Sequence, residues 1–306
     1  MNKTKPKIIF LLGPTGVGKS EFAVKLARKI NGEIISCDSM QVYKGMAILS
    51  QYPSYELRRT ISHYLIGILK PSQEWSAADF IEKAKKITDE IIRRGKVPII
   101  AGGTGLYARA FIEGLFPSPA KDEKLRRKIY KEARQAGNAK IYDRLAGIDP
   151  VYAAKVHPND TRRIVRALEV YKLTGRPISE QHKETIGLKN EYDISVFILN
   201  RNRDELYGRI NRRVDDMFRR GAAKEVEKLK RLRLSRTAKA VLGYKEIDDY
   251  INGKTGRDEA KDLIKINTRR YAKRQLTWFR REKGATWLKL GGNDKVLINK
   301  IWKKLY

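Results

Sequence analysis

The segment Gly13–Ser20 has the residue types and spacing that point most directly to chemistry. It follows the apolar run Ile8–Leu12 and matches the P-loop pattern, in which two glycines five residues apart precede a lysine and a serine. Backbone N–H groups of such a loop surround phosphate oxygens, the lysine adds a point charge, and the serine hydroxyl can bind Mg²⁺. The predicted ligand is a phosphoanhydride or pyrophosphate, and the alternative is a glycine-rich turn that matches by chance. The predicted phosphate-binding residues are Gly13, Pro14, Thr15, Gly16, Val17, Gly18, Lys19 and Ser20.

Two other apolar runs end in polar residues that can take part in the same chemistry. Asp38 follows the run 33–37, and Thr104 follows the run 97–101. Ligands of open α/β sheets bind outside the carboxyl ends of the strands, so we expect Asp38 to face whatever Lys19 holds. There a carboxylate can accept a proton from a nucleophile, although an aspartate at this point also suits a helix cap. Thr104 can donate its hydroxyl to a phosphate, but a plain strand-to-helix turn fits equally well.

Arg209 and Arg213 lie one turn apart on one face of a helical region predicted over 202–232. A guanidinium in this position can bind phosphate through paired N–H groups. The sequence leaves two alternatives open, because both side chains could point at the phosphate site or at water.

The charge of the chain indicates a polyanionic partner. Among 306 residues, 66 are basic and 35 acidic, which gives a formal net charge of +31. Solvated helix faces or a generally basic proteome are the alternatives. The segment 265–283 favours nucleic acid, since it mixes eight basic residues with the aromatic residues Tyr271, Trp278 and Phe279. Such a mixture suits a phosphate backbone with unpaired, stacked bases, whereas core packing is the alternative for each aromatic residue taken singly.

The elements that position these residues alternate between strand and helix. Strands are predicted at 8–12, 33–37, 63–69, 97–101 and 192–199, with helices between them, and this pattern is typical of an α/β fold. We therefore predict a P-loop NTPase-like parallel sheet with helices on both faces, plus a helical insertion. The catalytic core would be discontinuous, comprising 1–114 and 191–306 with basic C-terminal helices, and 115–190 would form the insertion domain.

The remaining composition limits the class of protein. The single cysteine, Cys37, excludes an intramolecular disulfide and fits a reducing compartment. No apolar run approaches the length of about 18 residues that a membrane span needs. We therefore expect a cytoplasmic protein without membrane association, and we also expect a monomer.

Several segments, in order over nearly the whole chain, resemble the tRNA dimethylallyltransferase family, also called tRNA isopentenyltransferases. They are Gly13–Ser20, Asp38–Gly45, Gly102–Tyr107, His157–Asp160 with Arg162–Glu169, and Ala272–Trp278. The resemblance implies that a dimethylallyl group passes from dimethylallyl diphosphate to N6 of the adenosine 3′-adjacent to the anticodon in tRNA (position 37), with Mg²⁺ and release of pyrophosphate. The P-loop would then hold a prenyl diphosphate, not ATP.

The resemblance also implies a role for individual residues. Asp38 would accept a hydrogen from the adenine amine, and Thr104 would bind the diphosphate near its bridging oxygen. Fixed hydrogen-bond donors stabilise the charge that builds on departing pyrophosphate. The implied donors are Lys19, Ser20 and Arg209 or Arg213, and Ser20 is also the implied metal ligand. The base would have to flip out of the anticodon-loop stack. The implied tRNA-binding residues are Asp38, Ser39, Met40, Gln41, Thr104, Arg126, Arg162, Arg163, Arg166, Gly243, Tyr244, Lys273, Arg274, Gln275 and Trp278.

The sequence departs from the family pattern in two places. Where the family has Asp-Ile-Gly-Thr-Ala-Lys-Pro, this chain has Ala-Ile-Leu-Ser-Gln-Tyr-Pro at 47–53. Where the family has Pro-His-His-Leu-Ile-Asp, the segment 61–67 has lost the aspartate. Neither change alters Lys19, Asp38 or Thr104.

Two other functions share part of this pattern. A P-loop kinase acting on a small molecule or nucleotide would use the P-loop and the aspartate at the strand end, but it leaves the basic segment unexplained. A non-enzymatic RNA-binding module explains the charge, but it makes the intact Lys19, Ser20, Asp38 and Thr104 a coincidence.

Overall fold

Six short strands form one parallel sheet in the part of the chain that the structure describes, residues 5–116, 119, 122–185 and 187–306. In this computed structural model the strands are β1 Lys7–Leu12, β2 Gly32–Cys37, β3 His63–Tyr64, β4 Val97–Gly102, β5 Asp193–Asn200 and β6 Thr286–Lys289. Their order across the sheet is β3-β2-β4-β1-β5-β6, and every neighbouring pair runs parallel. The predicted α/β fold class is therefore confirmed.

Helices make the connections that a parallel sheet requires. They are α1 Lys19–Ile30, α2 Tyr55–Thr60, α3 Ala77–Arg93, α4 Gly105–Glu113, α5 Glu123–Ile148, α6 Pro150–Ala153, α7 Thr161–Thr174, α8 Ile178–Gln181, α9 Arg203–Arg219, α10 Ala222–Lys230, α11 Tyr244–Ile251, α12 Arg257–Phe279 and α13 Asp294–Leu305. Short 3₁₀ turns occupy His182–Glu184, Leu188–Asn190 and Ala238–Ala240. Within the described residues, none of these helices has the length and apolar character needed to cross a membrane.

Strand β1 is covered on both faces, which explains why its sequence is apolar without alternation. Ile9 and Leu11 belong to the same buried cluster as Phe22 of α1. Phe10 points to the opposite face, where its ring lies 5.6 Å from that of Phe111 of α4. The sheet is therefore packed between helices, and the loop after β1 emerges from a rigid element.

The strand predictions were accurate at the centre of the sheet and wrong at its edges. The strand predicted over 63–69 ends at Tyr64, because Leu65 and Gly67 adopt positive φ angles of 61° and 60° and turn the chain. Strand β6 and helix α13 were not predicted. Strand β6 has four residues, of which only Leu288 is buried, so it carries almost no periodic signal.

Contacts along the chain divide it into two units. One comprises Met1–Ile112 and Lys189–Tyr306 and contains the whole sheet, and the other comprises Glu113–Leu188 and is helical. The second unit has its own apolar core, to which α5 contributes Ile129 and Leu145 and α7 contributes Ile164 and Leu168. The predicted insertion over 115–190 is offset by two residues from this unit. Its predicted contact with tRNA stays a prediction.

A buried carboxylate organises the helical unit. Glu169 of α7 is fully buried and accepts hydrogen bonds from Arg126 Nε at 2.8 Å, from the backbone N–H of Asp122 at 3.0 Å, and from Arg166. Burial raises the pKa of Glu169, but the bonds from both arginines outweigh it and lower the pKa below its ordinary value. Arg126 and Arg166 therefore have a structural role in addition to any contact with tRNA.

We expect Glu169→Gln to destabilise the helical unit by about 2 kcal/mol, because it leaves two partly buried guanidinium groups without a matching charge. The contribution of Glu169 is present above the unfolded-state pKa of about 4.3 and is lost as the pH falls through the lowered folded-state pKa. Urea unfolding at pH 7 and pH 3 measures both effects. Glu132→Gln, which removes the exposed partner of Arg144, is the matched control and should cost less than about 0.5 kcal/mol. Equal losses from the two substitutions would contradict this role.

Candidate active site

The P-loop joins β1 to α1 and is closed by its own lysine. Lys19 Nζ donates hydrogen bonds to the carbonyl oxygens of Gly13 and Pro14, both at 2.9 Å. Gly18 precedes α1 with a φ of 101°, an angle that residues other than glycine rarely adopt. The loop is therefore preformed around the start of α1, where the helix dipole favours an anion.

Lys19, Asp38 and Arg213 lie close enough together to alter one another's ionisation. Burial lowers the pKa of Lys19 from 10.5 to about 8, the Asp38 carboxylate opposes that shift, and Arg213 reinforces it. Burial likewise lowers the pKa of Arg213, to about 10, again against the attraction of Asp38. These groups therefore belong to one site, in which Lys19, Arg209 and Arg213 lie near the carboxylates of Asp38 and Glu21.

Arginines from one stretch of chain bind consecutive residues of the P-loop. Arg213 Nη1 donates to Thr15 Oγ1 at 2.9 Å, and Arg209 Nε donates to the carbonyl of Gly16 at 2.8 Å. Of the two alternatives left open by the sequence, both side chains therefore point at the loop, not at water.

Arg201 is a third arginine at this loop and was not predicted from the sequence. It follows β5 directly, and its Nε donates to the carbonyl of Val17 at 2.7 Å. A Cβ placed on Gly18 would lie 3.4 Å from Arg209 Nη2 and 3.5 Å from Arg201 Nη2, so the two guanidinium groups converge on the same point of the loop. The available signal was the four-residue spacing Arg201-Glu205-Arg209-Arg213, although Arg201 itself lies before α9.

Asp38 and Thr104 meet because their strands are neighbours. In the β2–β4 pairing Cys37 lies opposite Gly102, and Thr104 N donates to the carbonyl of Cys37 at 3.2 Å. Thr104 Oγ1 then accepts a hydrogen bond from the backbone N–H of Ser39 at 3.2 Å. Since that oxygen is already an acceptor, the hydroxyl hydrogen of Thr104 is left to donate to a ligand.

Asp38 is held by the chain that follows it. Its Oδ1 accepts hydrogen bonds from the backbone N–H groups of Met40 at 2.8 Å and Gln41 at 3.4 Å. No helix begins here in the part of the chain that the structure describes, so these bonds form a local turn and not the helix cap that the sequence also allowed. Among the described residues, the hydrogen bonds found at Asp38 go to Oδ1, so Oδ2 can serve as a proton acceptor.

Gln275 of α12 joins the P-loop to the Thr104 loop. It is buried, its Oε1 accepts from the backbone N–H of Thr15 at 2.9 Å, and its Nε2 donates to the carbonyl of Gly103 at 2.8 Å. A Cβ on Gly103 would lie 2.3 Å from Nε2, so a side chain at this position would displace the Gln275 carboxamide. Gln275 was predicted to contact tRNA, but its carboxamide is engaged inside the protein, where it ties the two loops together.

Trp278 also packs against the glycine-rich loop. A Cβ on Gly105 would lie 2.2 Å from the Trp278 ring, and the guanidinium of Arg109 lies 4.9 Å from the ring centroid on another side. The neighbouring residues Lys273 and Arg274 are exposed on α12. One face of α12 therefore supports the site while another presents cations to solvent.

The other residues implied to contact tRNA are spread over both units. In the sheet-bearing unit, Ser39, Met40 and Gln41 follow Asp38, while Gly243 and Tyr244 begin α11. In the helical unit, Arg162 and Arg163 are exposed in the first turn of α7.

Ser20 follows Lys19 in the first turn of α1 and is partly exposed. Among the described residues, no group of three or more His, Cys, Asp or Glu side chains could hold a metal ion.

We expect Gln275→Met to loosen both loops at once, because it keeps the side-chain length and removes both hydrogen bonds. Leaving a buried N–H and a buried carbonyl unpaired should lower the free energy of unfolding by about 2 kcal/mol. Amide hydrogen exchange should accelerate in the segments 13–20 and 102–105 together. Gln135→Met, at an exposed position of α5, is the control. Unchanged exchange in either segment would contradict the coupling.

We expect the affinity for inorganic pyrophosphate to fall as the pH rises through about 8, because Lys19 attracts the anion only when it is protonated. Because the pKa of Lys19 is about 8, the protonated fraction, and with it the affinity, should fall about tenfold between pH 7 and pH 9. Isothermal titration calorimetry measures the affinity. Lys19→Met should bind more weakly and lack this part of the pH dependence, while identical pH profiles would contradict the assignment.

Comparison with known proteins identifies the family. The model of the family described as IPP transferase matches residues 41–282. The tRNA dimethylallyltransferase of Halothermothrix orenii is 49% identical, over 97% of this chain and 92% of its own length. That of Geobacter sulfurreducens is 45% identical, over 95% of this chain and 94% of its own length.

Solved structures agree with this assignment. The full-length tRNA isopentenylpyrophosphate transferase of Bacillus halodurans superposes with a TM-score of 0.73 at 40% identity, covering 98% of this chain and 96% of that one. A eukaryotic dimethylallyltransferase, solved acting on tRNA, gives a TM-score of 0.76 at 33% identity, over 93% of this chain and 74% of that one. These relatives are named as transferases, so neither the kinase nor the non-enzymatic RNA-binding module is favoured. The chain belongs to the IPP transferase family, the tRNA dimethylallyltransferases.

Proposed function

We propose that the protein transfers a dimethylallyl group from dimethylallyl diphosphate to N6 of adenosine 37 in tRNA and releases pyrophosphate. The observation that carries this proposal is the convergence of Lys19, Arg209 and Arg213 on the P-loop, with Asp38 near enough to affect the ionisation of Lys19 and Arg213. A diphosphate supplies the negative charge that this site lacks. A carboxylate beside the diphosphate can accept the proton that the incoming amine loses.

The reaction exchanges one bond at the first carbon of the dimethylallyl group. The bond from this carbon to the diphosphate oxygen breaks, and the electron pair leaves with pyrophosphate. The bond from adenine N6 to the carbon forms, and the N6 proton passes to Asp38. A neutral aromatic amine is a weak nucleophile, so the reaction depends on how the amine is oriented and deprotonated. Asp38, held through its Oδ1, would orient the amine and accept its proton.

The leaving group is stabilised by donors that are already in place. Charge accumulates on the diphosphate oxygens as the bond breaks, so fixed cations favour the transition state over the ground state. Lys19, Arg209 and Arg213 would serve this purpose, and the Thr104 hydroxyl would donate to the bridging oxygen. Ionised arginine cannot act as an acid here, and its contribution is electrostatic.

We also propose that Mg²⁺ accompanies the diphosphate. The residues present fit a hard cation that is held mainly by phosphate oxygens and water, with the Ser20 hydroxyl as the protein ligand. The ion would supply charge neutralisation on the diphosphate when bound.

The tRNA anticodon stem-loop is the proposed partner. The net charge of +31, the exposed Lys273 and Arg274 of α12, and the exposed Arg162 and Arg163 of α7 support a phosphate-backbone contact. We propose a monomer, because one chain supplies every residue named at the site, and action in the cytoplasm, where a protein with a single buried cysteine stays reduced.

The direct test is transfer of label to tRNA. Purified protein is incubated with unmodified tRNA, radiolabelled dimethylallyl diphosphate and Mg²⁺, and the product is digested to nucleosides. Label in adenosine is the expected result. Consumption of ATP without tRNA, or tight tRNA binding without label, would contradict the proposal.

Asp38→Asn should lower kcat by about 10²- to 10⁴-fold and leave the Kd for tRNA within about twofold of wild type. The amide oxygen can still accept the Met40 N–H, so the turn is kept while the base is lost. Asp258→Asn, at an exposed position of α12, is the matched control and should retain kcat. A parallel loss of turnover and tRNA affinity in Asp38→Asn would remove the base role.

A further inference from the structure

The segment Ala47–Pro53, here called the 47–53 loop, is one of the two places where this chain departs from its family pattern, and its Gln51 contacts Arg213 of the phosphate site. Gln51 replaces the alanine of that pattern. It adopts a φ of +57°, which is unusual for a residue other than glycine. A strained backbone at this point calls for interactions that hold it.

The Gln51 side chain provides those interactions and links the loop to Arg213. Its Nε2 donates to the carbonyl of Ile48 at 2.6 Å, and its Oε1 accepts from Arg213 Nε at 2.7 Å. Its backbone carbonyl accepts from Gln41 Nε2 at 3.0 Å. Both ends of the carboxamide are thus oriented, with the oxygen facing the guanidinium.

The carboxylate of Glu225 anchors the backbone of the 47–53 loop. Glu225, in the first turn of α10, accepts the backbone N–H of Ile48 at 2.9 Å and that of Leu49 at 2.8 Å. The hydrogen bonds therefore run without a gap from Glu225 through the loop backbone to Gln51 and on to Arg213.

Arg213 needs such a support because its side chain is long. Its backbone is fixed by α9, in which the neighbouring residues Ile210 and Val214 are buried. The guanidinium stands several rotatable bonds away and is held at two points, by Gln51 at Nε and by Thr15 Oγ1 at Nη1. Ordering it before the ligand arrives removes that entropic cost from binding.

We infer that Gln51 is a positioning residue for Arg213, and that the 47–53 loop, anchored by Glu225, sets the affinity of the site for the diphosphate of the donor. The inference rests on the proposed function, because it concerns the donor of the same reaction. Gln51 is neutral, so it orients the guanidinium without reducing its charge, and the 47–53 loop acts on the donor side of the reaction, not on tRNA.

The test is a double-mutant cycle on Gln51 and Arg213. Gln51→Met keeps the side-chain length and removes both hydrogen bonds. It should raise the Kd for inorganic pyrophosphate with Mg²⁺, and the KM for dimethylallyl diphosphate, by about tenfold, and leave the KM for tRNA unchanged. In the Arg213→Gln background the same substitution should have no further effect. Glu225→Gln should produce a smaller effect in the same direction.

Matched controls separate positioning from loss of structure. Gln73→Met removes a carboxamide whose hydrogen bond, among the described residues, is to Lys70 N of its own exposed turn, and it should leave both constants unchanged. Thermal unfolding checks that each variant is folded. If Gln51→Met raises the pyrophosphate Kd by the same factor with and without Arg213, or raises the KM for tRNA equally, the positioning role is overturned.

The wild-type protein separates this inference from the proposed function. Wild type that neither binds pyrophosphate nor prenylates tRNA would overturn both. Wild type that does both, alongside a Gln51→Met variant with an unchanged pyrophosphate Kd, would overturn the inference alone.

Discussion

Burial of positive charge at one loop is the constraint on which the rest of the site depends. Lys19 and Arg213 share a partly buried space, and burial lowers the pKa of each. Asp38 offsets part of this cost but cannot balance it alone. A fold that keeps such an arrangement stores unfavourable energy that a bound anion releases, and the release is largest when negative charge is largest, on departing pyrophosphate.

Neutral carboxamides hold this cationic site together. Gln275 joins the P-loop to the Thr104 loop, and Gln51 joins Arg213 to the loop at 47–53. A carboxamide donates and accepts hydrogen bonds without adding charge, so it can fix a loop or a guanidinium and leave the local field intact. Carboxylates that anchor the structure, such as Glu225 and Glu169, instead bind backbone N–H groups or arginines outside the phosphate loop.

The parts of this arrangement that could be predicted from sequence are local in the chain. The P-loop is contiguous, and Asp38 and Thr104 each follow an apolar run, so strand-end geometry was enough to group them. Gln275 and Gln51 were not recognised as supports, because their partners lie 260 and 162 residues away and leave no periodic pattern. Arg201 was missed because it stands alone before its helix. The structural role of Arg126 and Arg166 was also not predicted, because the sequence does not reveal that both pair with Glu169.

The most direct measurement of the central claim is a crystal structure of this chain with pyrophosphate and Mg²⁺. The account predicts that the anion lies within the P-loop, with Lys19 Nζ moved from the carbonyls of Gly13 and Pro14 to within about 2.7–3.2 Å of a phosphate oxygen. Arg209 or Arg213 should contact the same anion, with the Asp38 carboxylate facing it across the site. Pyrophosphate bound elsewhere, with Lys19 still on both carbonyls, would contradict the account.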